Sequence, residues 1–439
     1  MTSLSRRRFA ELLALSGSAA LFPRTVWSRE SIDELGLTAA RLPQAPSATD
    51  ENYWRQVRAR FLVPKDLNFL NAANLCPTSL VAVEALEKAM RAYEAGPTPE
   101  ARNELFAKGK EESRKLLADA LRVTPEEIVI TRNTTEGNNI VSSGLDLKPG
   151  DEVVVWADNH PSNLNAWRLK AQRFGFTVVS VPIPPAHPGA DGYVDLFTKA
   201  FTARTKLVAI SHVSSNSGDL LPAAEICAAA RQRNILSLVD GAQSFGVLDV
   251  DLSTMKPDFY TGSMHKWPCG PKEKGLLFVS KAVHDRIHPS VVGLYGGAVG
   301  LSRTFEANGQ RDDAGLAAVA EMLKFQASLG GPAAIEKRAR ALAQTLIAEL
   351  RKIDGVKLWT DPDPSRSAAI VIFQPGALDV RQLGPALTAA KIICTTRTGQ
   401  QNPGIRMSPH FYNTMDEMRA AADATRMRMA AGALRSTAP

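Results

Sequence analysis

The sequence predicts an α/β fold with a mostly parallel sheet, followed by a smaller α+β domain. Short apolar runs alternate with segments of helical length from Glu127 onward, several of these runs end in polar residues, and the pattern changes after about residue 300. Such alternation is typical of a parallel sheet whose strands are joined by helices. With 439 residues, 44% of them hydrophobic, the chain is long enough for two packed domains.

The individual elements follow from the same patterns. The predicted strands are the runs at 128–130, 153–155, 178–181, 207–210 and 235–239, and a further run at 275–279 predicts an edge strand. In the second part, apolar residues recur at helical spacing between 335 and 353. A strand near 370–373 and a last helix over 415–429 complete the smaller domain. Because ligands of open α/β sheets bind at the carboxyl ends of the strands, we expect the functional residues there.

Asp240 and Lys266 are the most informative residues. Asp240 ends an apolar run in the sequence LVDGAQ, and Lys266 ends the sequence SMHK after the next predicted strand. An acid at the end of a strand can keep a pyridine nitrogen protonated, and a lysine on the next strand can form a Schiff base with an aldehyde. The pair therefore predicts a site for pyridoxal 5'-phosphate (PLP).

These two segments resemble the fold-type I PLP enzymes of the class V aminotransferase family, which includes cysteine desulfurases, selenocysteine lyases, kynureninases and isopenicillin N epimerase-like proteins. The resemblance runs from about Leu67 to about Met429, with further matches at 71–73, 131–136, 159–160 and 406–414. It implies a large PLP-binding domain with a mostly parallel sheet of the seven-stranded type. It also implies an antiparallel strand at 275–279 and a homodimer with active sites between the subunits.

A second group of residues is predicted to bind the cofactor. Thr134 and Thr135 lie between a strand and a helix, where free N–H groups and the helix dipole favour a phosphate. Simple N-capping by a threonine is the alternative. The resemblance implies further roles: phosphate donors at Ser263 and His265, a ring-stacking proton shuttle at His160, packing by Ala242 on the opposite face, and donation to the phenolic oxygen by Gln243. It leaves open whether Ser215 or Asn216 fills the place of a family asparagine.

Lys266 is also the predicted base. It must be neutral to attack an aldehyde, and burial lowers the pKa of an amine. The freed amine would then remove the substrate α-proton. By resemblance, Arg406 in GIRMSPHFYNT grips the substrate α-carboxylate, with Ala73 and Asn74 beside it. A surface salt bridge is the alternative for Arg406, and a capping role is the alternative for His160.

Departures from the family pattern narrow the function. Related desulfurases carry a persulfide-forming cysteine shortly after a segment like RTG at 397–399, whereas this chain has QQN at 400–402, so we do not expect sulfur transfer to a protein thiol. Gln310 stands where relatives have a threonine that reaches the partner subunit's phosphate, and its amide can still donate. We predict a class V aminotransferase-like enzyme that acts on an amino acid or an amino-acid-containing compound. C–S lysis, epimerisation, siderophore-peptide tailoring as in pyoverdine maturation, and a noncatalytic PLP-binding module are the alternatives.

The N-terminus predicts export. The sequence SRRRF at 5–9 precedes a short apolar stretch at 12–22, as in a twin-arginine signal. The stretch is too short to span a bilayer, although an uncleaved anchor stays an alternative. We expect a signal at 1–28, a linker at 29–50, an N-terminal segment with the large PLP-binding domain at 51–300, a small domain at 301–439, and a periplasmic protein.

Composition excludes other classes. The net charge of +7 falls to +4 without residues 1–28, which hold four arginines and one glutamate, and this is too mild to imply nucleic acid binding. Four cysteines are scattered without C-x-x-C spacing, so neither a metal site nor a disulfide framework is predicted. We expect a small amino-acid or peptide substrate, with no stable membrane partner beyond the export machinery.

Overall fold

Thirteen strands in three sheets are present in the part of the chain that the computed structural model describes, residues 42–399 and 401–436. The predicted signal at 1–28 and residues 29–41 of the predicted linker lie outside it. The strands are β1 (Asn68–Phe69), β2 (Ile128–Thr131), β3 (Glu152–Trp156), β4 (Thr177–Val181), β5 (Thr205–Ser211), β6 (Leu236–Asp240), β7 (Phe259–Ser263), β8 (Gly275–Val279), β9 (Val356–Leu358), β10 (Val371–Pro375), β11 (Ile392–Ile393), β12 (Thr395–Arg397) and β13 (Gly404–Met407).

Helices separate most of these strands. They are α1 (Glu51–Arg58), α2 (Leu80–Ala95), α3 (Pro99–Arg102), α4 (Lys108–Leu121), α5 (Thr134–Gly144), α6 (Pro161–Phe174), α7 (Gly189–Ala200), α8 (Ala223–Arg231), α9 (Leu252–Met255), α10 (Ser302–Phe305), α11 (Ala314–Ser328), α12 (Gly331–Leu350), α13 (Val380–Ala389) and α14 (Met415–Ser436). None of these helices combines the length and apolar character needed to cross a bilayer.

The large sheet confirms the predicted architecture. Its seven strands follow the order β2-β8-β7-β6-β5-β3-β4. The pairs from β7 through β6, β5 and β3 to β4 are parallel, whereas β8 is antiparallel to both of its neighbours. Alternate residues of a strand enter two different apolar clusters, Val154 on one face and Val153 and Val155 on the other. Burial on both faces explains why these strands are continuous apolar runs.

The position of β8 differs from the expectation. The orientation implied by the resemblance is correct, but β8 lies between β2 and β7 rather than at an edge of the sheet. All five of its residues are buried. Gly275 permits this insertion, because a Cβ atom there would lie 2.6 Å from the Cα of Asn133 and 2.7 Å from the carbonyl oxygen of Gly262. The edge position is therefore wrong, and β2 and β4 form the edges instead.

The C-terminal part contains the predicted smaller α+β structure. Four antiparallel strands in the order β12-β13-β10-β9 form its sheet. The chain near its start joins this part, since β1 pairs in parallel with β11 and the amide of Leu70 donates to the carbonyl of Ile393 at 2.8 Å. Residues 42–50, the described end of the predicted linker, also make specific contacts, among them a 2.8 Å bond from the Trp54 indole to the Ser47 carbonyl. The boundaries proposed at residues 50 and 300 stay predictions.

Candidate active site

A cavity of about 320 Å³ lies at the carboxyl ends of the large-sheet strands. It is reached from β3, β5, β6 and β7, and from β2, which runs in the same direction as β7 because both are antiparallel to β8. The residues that line it include most of the predicted site: Asn74, Thr134, Thr135, His160, Ser215, Asp240, Ala242, Gln243, Ser263, His265 and Lys266.

Asp240 is the last residue of β6, and its carboxylate is surrounded by donors. Its Oδ2 atom accepts bonds from the side-chain amides of Asn138 at 2.8 Å and Asn163 at 3.4 Å. Its Oδ1 atom accepts from the backbone amide of Ala242 at 3.1 Å. Donors of this kind stabilise the ionised form, which can accept a proton-bearing ring nitrogen.

Lys266 follows β7 and lines the same cavity as Asp240. Burial lowers the pKa of its amine to about 8, Arg406 lowers it further, and Asp240 opposes this change. A substantial fraction of the amine is therefore neutral near neutral pH, which is the form that attacks an aldehyde. The loop that carries the lysine is tightly bonded, with the Met264 amide donating to the Lys274 carbonyl at 2.9 Å and the Cys269 amide to the Lys266 carbonyl at 2.9 Å.

Hydroxyl groups converge at the N-terminus of α5. The backbone amide and the hydroxyl of Thr134 both lie 2.8 Å from the hydroxyl of Ser263. The N-cap of α5 is Asn133, whose side chain accepts from the Glu136 amide at 3.0 Å, so Thr134 is not needed as the cap. These donors and the helix dipole suit a phosphate. Burial, with smaller effects of Lys266 and Lys272, lowers the pKa of His265 to about 4, so this ring is a neutral donor.

His160 lies at the junction of β3 and α6. Its Nδ1 atom accepts from the Ser162 amide at 3.2 Å and lies 2.8 Å from the Ser162 hydroxyl, so the capping role considered for it is real. The cap leaves the Nε2 atom as the one that carries hydrogen. Burial, followed by Lys266, lowers the pKa of His160. Asn159 fixes the junction by donating to the Ala209 carbonyl at 2.8 Å and accepting from the Ser211 amide at 2.7 Å.

Gln243 is held at both ends of its amide. Its Nε2 atom donates to the carbonyl of Ala73 at 2.9 Å, and its Oε1 atom accepts from the indole of Trp267 at 2.8 Å. One hydrogen of the Nε2 atom stays available for the predicted bond to a phenolic oxygen. Ala73, predicted to lie beside the substrate, is 2% exposed and enters the site through its carbonyl group.

Arg406 is buried on β13 and forms no surface salt bridge. Its Nη1 atom donates to the carbonyl of Ser215 at 3.2 Å, and its Nη2 atom lies 3.4 Å from the hydroxyl of Thr395. Ser215 lines the cavity, whereas Asn216 points toward Asp158. Of the two residues left open by the sequence, Ser215 is the one placed at the cavity.

Gln310 lies elsewhere in the subunit. It lines a second cavity of about 420 Å³, and its Oε1 atom accepts from the guanidinium of Arg102. Its predicted contact with the phosphate of a partner subunit stays a prediction. Within residues 42–399 and 401–436, no group of three or more His, Cys, Asp or Glu residues is arranged to hold a metal ion.

Sequence reasoning missed four polar residues of this region: Asn138, Asp158, Asn163 and Arg397. Asn138 and Asn163 are fully buried and bind Asp240. Asn138 lies one helical turn after Thr134, and Asn163 lies three residues after His160, so helical spacing from a predicted site residue was the available signal. Asp158 and Arg397 carried no such signal, because their roles depend on the loop after β5.

The side chains suit the chemical parts of PLP. Hydroxyls and a helix N-terminus are grouped for the phosphate, a donor-supplied carboxylate for the pyridine nitrogen, and an amine of lowered pKa for the aldehyde. When bound, PLP withdraws electrons from the α-carbon of an attached amino acid.

Comparisons with known proteins agree with this fit. A family model described as aminotransferase class-V matches residues 69–420. Isopenicillin N epimerase from Streptomyces clavuligerus is 30% identical over 390 residues, which cover 84% of this chain and 97% of that protein. A probable cysteine desulfurase from Methanothermobacter thermautotrophicus is 29% identical over 389 residues, which cover 82% and 94% of the two chains.

Solved structures share the fold. A mutant of C-DES with glycine covalently linked to its PLP cofactor has a TM-score of 0.79 and 26% identity, covering 84% of this chain and 98% of that chain. The complex of the cystine C–S lyase C-DES with its product cysteine persulfide has a TM-score of 0.77 and 26% identity, covering 82% and 98%. The chain therefore belongs to the class-V aminotransferase family, with the fold of a fold-type I PLP-dependent transferase and PLP as its cofactor.

Proposed function

We propose that this protein is a periplasmic PLP-dependent enzyme that acts at the α-carbon of an amino acid or an amino-acid-containing compound. The observation that carries the proposal is the presence in one cavity of Lys266, Asp240 and His160, with the pKa of the lysine lowered to about 8. The neutral amine can accept the α-proton of a substrate and return it elsewhere. Asp240 holds a proton at the ring nitrogen, and Arg406 binds the α-carboxylate through its guanidinium fork.

Transamination is the reaction that we favour. It requires one base that removes a proton from the α-carbon and delivers it to a neighbouring carbon, and Lys266 can serve at both atoms. No protein thiol supports a desulfurase mechanism: Cys394 precedes Arg397 in the chain, and burial raises the pKa of its thiol to about 12. Such a thiol is almost entirely protonated and therefore a poor nucleophile.

Epimerisation is the second candidate. It needs a proton carrier on each side of the α-carbon, and His160 presents an imidazole to the cavity that Lys266 lines. The similarity to isopenicillin N epimerase supports this alternative. The similarity to C-DES supports C–S lysis without a protein thiol, and export of the chain would suit the tailoring of a siderophore peptide. A noncatalytic PLP-binding module is the alternative of a different class.

Product analysis distinguishes these reactions. Purified protein loaded with PLP is offered a panel of amino acids and small peptides, while its absorbance is followed. A keto product with conversion of the cofactor to its amine form identifies an aminotransferase. An inverted α-carbon that carries deuterium from heavy water identifies an epimerase, and a released fragment identifies a lyase.

Substitution of the lysine tests catalysis itself. We expect Lys266→Ala to abolish the absorbance of the lysine–cofactor linkage and turnover, while the fold is retained in circular dichroism. Lys281→Ala is the matched control, because this lysine is about half exposed and lies beyond β8. Unchanged biological activity of Lys266→Ala would contradict a catalytic role and favour the binding module.

Export is tested separately. We expect the full chain, produced in a bacterium with a twin-arginine pathway, to accumulate in the periplasmic fraction. Replacement of Arg6 and Arg7 by lysine should retain it in the cytoplasm, since the pathway reads this arginine pair. Equal periplasmic amounts of both proteins would contradict the proposed localisation.

A further inference from the structure

Two arginines of the small sheet converge on one oxygen atom at the edge of the active-site cavity. Arg397 ends β12 and Arg406 lies on the adjacent β13. Their Nη1 atoms donate to the carbonyl of Ser215 at 3.4 Å and 3.2 Å, respectively. Each arginine is only 7% exposed, and the Nε atom of each is buried without a partner.

Neither arginine has a carboxylate partner in the described part of the chain. Two other buried arginines are neutralised: Arg114 binds Glu306 at 2.5 Å, and Arg338 binds Glu51 at 2.5 Å. A buried cation is costly unless it is paired. Two adjacent cations without carboxylates, at the cavity that receives the substrate, therefore have the arrangement of a site for negative charge.

An amide separates Arg397 from the acid next to it. The Nδ2 atom of Asn216 donates to Asp158 at 2.6 Å, and its Oδ1 atom accepts from the guanidinium of Arg397. The other carboxylate oxygen of Asp158 accepts from the hydroxyl of Ser214. Burial raises the pKa of Asp158, which weakens its negative charge further. The charge of Arg397 is thus held in position by a neutral group and is left uncompensated.

We propose that the substrate carries two carboxylates, the α-carboxylate bound by Arg406 and a second carboxylate bound by Arg397. This inference rests on the proposed function, because it names the substrate class of the same site. A planar guanidinium matches a carboxylate with two parallel hydrogen bonds. A diacid substrate supplies the two missing negative charges, whereas a neutral side chain leaves Arg397 buried and unpaired.

Matched acid and amide pairs test the inference on the PLP-loaded full chain. L-glutamate is compared with L-glutamine, and L-aspartate with L-asparagine, by the concentration that half-saturates the change in cofactor absorbance. A hydrogen bond between charged groups corresponds to a preference of about tenfold to 100-fold for the acid. Glutarate and butyrate, read by the thermal stability of the loaded protein, repeat the comparison without an amino group.

Variants assign the preference to one arginine. We expect Arg397→Gln to bring the ratio of the two half-saturating concentrations close to one and Arg397→Lys to keep part of it. Arg406→Gln should weaken the binding of acid and amide alike. Asn216→Asp places a carboxylate against Arg397 and should abolish the preference while both arginines are present. Arg419→Gln, at an exposed arginine of α14, is the control.

The possible failures are distinguishable. A chain that forms no lysine–cofactor linkage contradicts the proposed function. A chain with a normal linkage that binds acid and amide, and glutarate and butyrate, equally well contradicts the diacid inference alone. The same holds if Arg397→Gln retains the full preference for the acid.

Discussion

Asp240 is oriented by amide groups that belong to two helices rather than to its own strand. Asn138 of α5 donates to its Oδ2 atom, and the carbonyl oxygen of Asn138 accepts from the hydroxyl of Thr261 at 3.0 Å. The bond from Thr261 fixes the direction of the amide, so the NH₂ group of Asn138 faces the carboxylate. Partners of this kind hold a catalytic acid in the geometry that its ligand needs.

Removal of this amide should weaken the hold on the ring nitrogen. We expect Asn138→Ala to lower the affinity for PLP by about tenfold or more, since a buried hydrogen bond to a charged group contributes ~1.5–3 kcal/mol. Titration of the cofactor-free protein with PLP measures this affinity, and the pH dependence of the cofactor absorbance reports the ring environment. Asn139→Ala is the control, because its side chain bonds only to the Thr135 carbonyl of its own helix. Equal affinities for the two variants would contradict a positioning role for Asn138.

The lowered pKa of Lys266 predicts a pH dependence of cofactor capture. Below pH 8 the amine is mainly protonated, and its neutral fraction rises about tenfold per pH unit. The rate constant for reaction with PLP should therefore rise up to about pH 8 and become level above it. Because Arg406 contributes to lowering this pKa, Arg406→Gln should move the midpoint to higher pH. Stopped-flow absorbance measures the rate, with Arg303→Gln as the exposed control, and a midpoint near 10.5 in the unaltered protein would contradict the prediction.

Single residues differed in how well the sequence predicted them. Asp240, Lys266, Thr134 and His160 could be placed at one cavity, because each follows a strand and parallel strands end at the same edge. Asn138 could not, since its role depends on how α5 packs against β7. The importance of Arg397 comes from what the rest of the fold does not place beside it, and no local pattern contains that information.

Elements are held around the site by a buried ion pair. Arg114 of α4 binds both carboxylate oxygens of Glu306, at 2.5 and 3.0 Å, and donates to the Ile128 carbonyl at 2.8 Å. Glu306 also accepts from the backbone amide of Ile130 at 2.6 Å. The pair therefore joins α4 and the segment after α10 to β2, the edge strand whose end leads to Thr134.

Breaking this pair should destabilise the fold. We expect Arg114→Leu to lower the free energy of unfolding by about 3–5 kcal/mol, because it leaves the carboxylate of Glu306 buried and unpaired. Arg91→Leu breaks an exposed pair with Glu87 and should cost less than about 1 kcal/mol. Urea denaturation measures both values. A similar cost for the two variants would mean that water reaches Glu306.

Strand identity was predictable, but strand order was not. The apolar runs identify β2 to β6 and β8, since each must be buried on both faces. The position of β8 between β2 and β7 depends on contacts with Gly275 that are distant in sequence. An apolar run of five residues has the same appearance at an edge as inside a sheet.

At the scale of the whole molecule, an exposed apolar loop suits self-association. Val291, Val292, Leu294 and Tyr295 are 54–87% exposed, and the Leu294 carbonyl accepts from the amide of Gly309 beside Gln310. Such a patch on a surface is typical of an interaction site. We propose that a second copy of this chain covers it, as the resemblance to dimeric relatives implies.

The dimer gives a direct prediction. We expect the unaltered protein to sediment as a dimer and the double variant Val292→Glu, Leu294→Glu to sediment as a monomer, since burial of two carboxylates opposes association. Leu169→Glu, at an exposed leucine of α6, is the control and should leave the dimer intact. A monomeric unaltered protein would contradict the proposal.

The pairing of β1 with β11 has a consequence for biosynthesis. The strands that carry Asp240 and Lys266 are complete once β8 has left the ribosome, whereas the strand of Arg406 is made more than a hundred residues later. β1, made early, has no partner until β11 is synthesised. The cofactor groups can thus come together on a nascent chain that still lacks the arginines, so the ability to select a substrate is acquired last.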